Sequence, residues 1–267
     1  MAVKSSKAMI LYEQPVLLNR DAHRKARLGT PPGLKFAAGS NSFLLAAEES
    51  VEAMRDFPIV FVGNKGGAFT LAALTGLQTD SNLFVKPDGG WMPGAYLPAF
   101  VRRYPFVLVE GKDGSDMQIA VDETCPWLDL TGHTAMPGER LLTDEGQNTQ
   151  RMDDIAVFLL RFHRGMEESR EFATKLHELG LLAPRMITVK GPRGTSSLDK
   201  FWLVDEQALR KLDAETTKML TDKGYMAWIH FHLASLANVQ KLADLSDHFA
   251  ASAPPAPTIP AAPRPLV

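Results

Sequence analysis

Hydrophobic and polar positions change period several times along this chain. Between Pro58 and Val121, short apolar runs alternate with turn residues. Pro58–Val62 leads into Gly63-Asn-Lys-Gly-Gly67 and then Phe69–Leu77. Asn82–Lys86 precedes Pro87-Asp-Gly-Gly90. Phe106–Glu110 and Met117–Val121 flank Lys112–Asp116. Gly and Asn accept positive φ at little cost, so these stretches predict hairpins and an antiparallel meander. Ahead of them, 46–57 predicts one short helix stopped by Pro58.

From Asn148 to Leu182 the period is helical. Met152, Ile155, Leu159, Phe162 and Met166 step by three and four, and Phe172, Leu176 and Leu179 continue the stripe past a polar Ser169. Gly180 and Pro184 close the helix, and Gly165 within it predicts a kink or a close approach. Met186–Lys190 and Leu198–Val204 flank Gly191-Pro-Arg-Gly194, a fourth hairpin. Asp205 and Asp213 stand where carboxylates cap short helices. Tyr225–Leu245 predicts a final helix, with Tyr225, Trp228, Ile229, His232, Leu233, Leu236 and Val239 in one arc. The fold class is therefore α+β: an antiparallel β-meander in the N-terminal half, then a long amphipathic helix with a small α/β C-terminal part packed on it. Residues 1–249 read as one domain, β-rich over 10–135 and helical and mixed over 148–249. Residues 250–267, rich in Ala and Pro, read as a disordered tail.

Composition adds exclusions. The formal charge is −2, which gives no electrostatic case for nucleic acid. No apolar run is long enough for a membrane-spanning helix, so no membrane insertion is expected. The apolar stretch 8–12 is too short for a secretory signal, and the expected location is the cytoplasm. The single cysteine, Cys125, cannot form an internal disulfide.

Catalytic signatures are missing. Neither phosphate-binding glycine motif occurs, nor does a Gly-x-Ser-x-Gly elbow. His230 and His232 would chelate together from a strand but diverge on a helix, and His163 with Glu167 lacks a third ligand. No metal and no cofactor is expected. Asp113, Asp116, Asp122 and Glu123 lack the pattern of a calcium loop. One segment is distinctive: Trp91-Met-Pro-Gly-Ala-Tyr-Leu-Pro-Ala-Phe-Val-Arg-Arg-Tyr-Pro-Phe106. Its prolines predict an extended run with Arg102 and Arg103 on opposite faces. Trp91, Tyr96, Arg102, Arg103 and Tyr104 are the candidate ligand- or partner-binding residues, because aromatics and arginine anchor interfaces.

That segment resembles the signature of the SapC-like family of bacterial proteins. Pro58-Ile-Val-Phe61, Gly138-Glu-Arg-Leu-Leu142 with Gly146, and Phe201-Trp-Leu-Val-Asp205 with Ser235, Leu236 and Asn238 carry the resemblance further, over roughly 10–245. The family is named for a surface-layer gene cluster. The resemblance implies a link to surface-layer or receptor-linked uptake and peptide-modification systems, and supplies no catalytic residues. Two functions stay open. The first is a non-enzymatic binding or accessory protein with a protein or peptide partner. The second is a peptidase-like hydrolase whose site is assembled from dispersed groups such as His163, His232 and Cys125. Oligomeric state is not specified.

Overall fold

The computed structural model describes residues 10–63, 68–111, 116–132, 137–191 and 194–252. The first part of the chain supplies β1 (Pro15–Leu17), β2 (Arg27–Leu28), β3 (Ser42–Leu45), α1 (Ser50–Ala53), β4 (Ile59–Gly63) and β5 (Phe69–Leu74). Then come α2 (Ala99–Arg102), β6 (Phe106–Glu110), β7 (Met117–Asp122), β8 (Leu128–Asp129), β9 (Glu139–Arg140) and α3 (Gln150–Glu178). The last part supplies β10 (Leu182–Gly191), β11 (Gly194–Val204), α4 (Glu206–Leu209), α5 (Ala214–Asp222), α6 (Tyr225–Ser235) and α7 (Asn238–Ser252). The class is α+β, as the change of period predicts.

The strands do not form one meander. The order in the main, five-stranded sheet is β10-β11-β4-β5-β3, and two three-stranded sheets run β1-β7-β6 and β8-β2-β9. The hairpins at 58–77 and 106–121 pair antiparallel as expected, but in different sheets. The 82–86 run contributes only a bridge, Val85 opposite Trp91, around the Pro87–Gly90 turn. The late hairpin β10–β11 joins the main sheet through Trp202 opposite Phe61, so the C-terminal half completes the N-terminal sheet. Turn residues 64–67, 112–115 and 192–193 lie outside the described residues.

Central strands are apolar on consecutive positions. Ile59, Val60 and Phe61 are all buried, as are Leu71 to Leu74. Such runs need cover from both faces, unlike an alternating strand. Helix α3 packs on β5, and its Phe172 touches Phe61 of β4 and Tyr225 and Trp228 of α6. The helix is unbroken at Gly165. A Cβ there would lie 3.0 Å from the Cβ of Ala46, so the glycine permits a close approach instead of a kink. Ser169, one turn on, is buried. Its hydroxyl accepts from Ala47 N–H at 2.6 Å and donates to the Gly165 carbonyl at 2.6 Å.

The predicted final helix is two helices. Ser235 Oγ donates to the His232 carbonyl at 2.6 Å and accepts from Ile59 N–H at 2.9 Å. The Asn238 amide donates to the Met54 and Phe57 carbonyls at 2.7 and 3.3 Å. Side chains that bind backbone elsewhere compete with continued helix, and the break falls between these two residues. The 46–57 helix is likewise only a 3-10 turn, Ala47–Glu49, running into α1. Asp205 and Asp213 cap α4 and α5 as predicted. Helix α7 reaches Ser252, three residues into the stretch read as tail, and 253–267 lie outside the described residues. Among the described residues no helix is long and apolar enough to cross a membrane.

His232 joins α6 to the sheet. Its Nδ1 lies 2.8 Å from the Ile59 carbonyl oxygen, and Nε2 accepts from Val204 N–H at 3.1 Å. A carbonyl only accepts, so Nδ1 carries the proton and the ring is neutral. Burial pulls its pKa down to about 4, against 6.5 for a free imidazole. The unfolded chain therefore binds a proton that the folded chain refuses between those values. Stability is full above the unfolded pKa and falls as pH drops toward the folded one. Urea unfolding at pH 7 and pH 4.5 should show a His232 share of this loss of roughly 2–3 kcal/mol. His232→Gln should be less stable at pH 7 and lose less on acidification. Parallel pH dependences for the two proteins would refute the assignment.

Candidate functional site

The 91–106 segment is not extended. Pro98 has φ −57° and ψ 143°, and its carbonyl accepts from Val101 and Arg102 N–H at 2.9 and 3.1 Å, which starts α2. The Ala99 N–H at this helix start is satisfied by a carboxylate from another element. Glu49 Oε1 accepts from it at 2.7 Å and from the Tyr96 hydroxyl at 2.7 Å. The other oxygen, Oε2, accepts from Ala46 N–H at 3.1 Å. One buried carboxylate thus caps its own turn and α2 together. Burial, followed by the Glu49 charge, raises the Tyr96 pKa, so the phenol stays protonated.

Arg102 lies over this anchor. Its guanidinium donates to Tyr96 Oη at 3.3 Å, stands 4.0 Å from Glu49 Oε1, and covers the Tyr96 and Phe158 rings at 5.9 and 5.3 Å. Trp91 Nε1 donates to the Tyr96 carbonyl at 3.1 Å and its ring stacks with Phe84. Asp56 accepts from Tyr96 N–H and from Lys241 Nζ, both at 2.8 Å, tying the segment to α7. Between α1, α2 and α3 these groups leave a cleft of about 250 Å³, lined by Glu48, Glu49, Tyr96, Arg102, Phe158 and Arg161 among others. Arg161 pairs with Glu48 at 3.3 Å on the rim.

The five predicted site residues do not share one site. Tyr96 and Arg102 line the cleft, while Trp91 sits behind Tyr96, bonded to its carbonyl and packed on Phe84 and Phe57. Arg103 is buried, with its guanidinium over the rings of Phe100, Phe162 and Tyr12 at 4.1, 5.2 and 5.7 Å. Burial lowers its pKa, and Tyr12 opposes that shift. Tyr104 belongs elsewhere: its ring stacks on Phe36 at 4.2 Å and its hydroxyl donates to Asp122 at 3.2 Å. The reason is helical: α2 turns successive side chains by about 100°, not the 180° of a strand. Glu49, Phe158 and Arg161 were not singled out by sequence reasoning. For α3 a signal existed. Val157, Phe158 and Leu160 are apolar yet off the core stripe, and Val157 and Leu160 are 66% and 42% exposed.

The dispersed catalytic candidates stay dispersed. Cys125 is buried beside Trp127 and Leu128, and burial first, then Asp122, pushes its thiol pKa up to about 12. A thiol so held is a poor nucleophile at neutral pH. His232 has both ring nitrogens engaged. His163 pairs with Glu167 at 3.4 Å on α3. Asp122 is a structural anchor: it accepts from Glu13 and Gln14 N–H at 2.9 and 3.1 Å and from the Thr124 hydroxyl at 2.8 Å. Burial pushes its pKa up, but these donors outweigh it and the net shift is down. Asp113 lies outside the described residues, among which no three metal-ligating side chains converge.

The anchor and the rim should separate in mutants. Glu49→Ala orphans two buried N–H groups and a hydroxyl and should cost about 3 kcal/mol or more in urea unfolding. Arg102→Ala should cost under about 1 kcal/mol, since its ion pair is half exposed. Equal losses would place Arg102 in the anchor as well.

Among known families, the SapC family model matches residues 18–242. No curated protein and no solved structure matches.

Proposed function

The chain belongs to the SapC family, and we propose that it acts as a binding or accessory protein that docks a protein or peptide segment against α3 and the Tyr96–Arg102 cleft. The observation that carries this reading is the exposed face of α3. Val157, Leu160, Arg161 and Arg164 follow one another at helical spacing on one stripe, and Arg161 lines the cleft. Exposed aliphatic side chains beside arginine and half-buried aromatics make the surface that partner residues dock on. At about 250 Å³ the cleft is smaller than the roughly 300–1,000 Å³ that drug-sized ligands fill. It suits one side chain of a larger partner. Arg102 and Arg161 offer forks of donors for a carboxylate, and Phe158 offers apolar area beside them. The partner segment therefore carries an acidic residue next to an apolar one. The link to surface-layer or uptake systems belongs to this proposal as its setting.

Fluorescence polarisation of labelled acidic–apolar peptides tests it. Wild type should bind, while Arg102→Ala, Arg161→Ala and Leu160→Asp should each weaken binding at least about tenfold, or about 1.4 kcal/mol. Lys211→Ala, on an exposed turn elsewhere, should bind like wild type. Binding that ignores all three changes overturns the site. Cleavage of the peptides in place of stable binding favours the hydrolase reading.

A further inference from the structure

We propose that the groove between β1, the open end of β7 and the start of α3 binds short aliphatic peptides whose two ends are free. The groove holds about 830 Å³, against about 250 Å³ for the Tyr96–Arg102 cleft, and falls within the roughly 300–1,000 Å³ that drug-sized ligands fill. Val16, Leu18, Ile119 and Met152 give it apolar walls, and Arg20, His23 and Glu123 stand among them. The turn that carries Arg20 and His23 is fixed by its own bonds. Asn19 Oδ1 accepts from Asp21 and Ala22 N–H at 2.9 and 2.8 Å, and His23 Nδ1 accepts from Asn19 N–H at 3.1 Å. The neutral His23 ring therefore carries its proton on Nε2. Burial lowers its pKa, and the Glu123 charge opposes that shift.

Backbone and charge both point to a peptide. Strand β1 pairs with β7 as far as Leu17 opposite Ala120, and Leu18 N–H adds one bond to the Ile119 carbonyl at 2.9 Å. Backbone groups alternate sides along a strand, so Met117 turns its N–H and C=O to the side that Ile119 uses, where β1 offers them no partner. Met117 also lines the groove. A ligand strand can continue the ladder there, as peptides do at open sheet edges. The charges are held apart. Arg20 and Glu123 line the same groove, yet among the described residues neither makes an ion pair. Arg20 donates instead to the Gly146 carbonyl at 2.9 Å, which leaves the rest of its fork of donors. A free peptide carboxylate matches that guanidinium, and a free ammonium matches the Glu123 carboxylate. A protein tail brings only one free end, and a single amino acid leaves most of the groove empty, so the fit is to an oligopeptide of a few residues.

Titration of trileucine into the isotope-labelled full chain tests this. The backbone amide signals of Leu18, Met117 and Ile119 should shift. Amidation of the peptide's carboxyl end should weaken binding at least about tenfold, and so should acetylation of its amino end. Arg20→Gln should remove the penalty of amidation and keep that of acetylation, while Glu123→Gln should do the reverse. Both side chains are exposed, so neither change should disturb the fold. The blocked peptides leave the protein unaltered and decide the matter even where a variant folds poorly. Doubly blocked trileucine that binds as tightly as the free peptide overturns the proposal. So do shifts confined to the Tyr96–Arg102 cleft, no shift at millimolar peptide, or leucine binding as tightly as trileucine.

Discussion

The main sheet is completed across a gap that backbone pairing alone does not close. Strands β4 and β11 are about 140 residues apart in sequence and meet at Phe61 and Trp202. A single imidazole spans the rest, donating to the Ile59 carbonyl and accepting from Val204 N–H. Ser235 satisfies the Ile59 N–H one turn further along α6, and Asn238 binds the carbonyls that precede β4. Buried backbone groups left unpaired are costly, so these three side chains fix where the C-terminal helices sit. Protonation of His232 removes its acceptor, which ties this joint to pH.

Glu49 does at the start of α1 what His232 does in the sheet. It satisfies backbone donors on two elements that have no ladder between them, Ala46 and Ala99. Ser169 ties α3 to the same turn, and Gly165 lets the two come close. The cleft is thus the space left among three elements cross-linked by buried polar groups. Its rim is free of that duty: Arg102 and Arg161 make exposed contacts that a partner can replace at little cost. Buried and rim side chains alternate within the aromatic segment: Tyr96 and Arg102 line the cleft, while Arg103 lies beneath aromatic rings.

Local signals reported local structure. The long helix, the hairpin pairings at β4–β5, β6–β7 and β10–β11, and the carboxylate caps at Asp205 and Asp213 follow from period and turn chemistry, which act over a few residues. The aromatic–arginine segment was legible as unusual. Its conformation was not, because the Ala99 N–H finds its acceptor fifty positions away, in Glu49. Only the fold decided that Arg102 is at the rim and Arg103 beneath aromatic rings. It also decided that the 58–77 and 106–121 hairpins belong to different sheets, and that the late hairpin completes the first of them. Those outcomes depend on which buried backbone groups find partners across long sequence distances, and hydrophobic period carries no record of that.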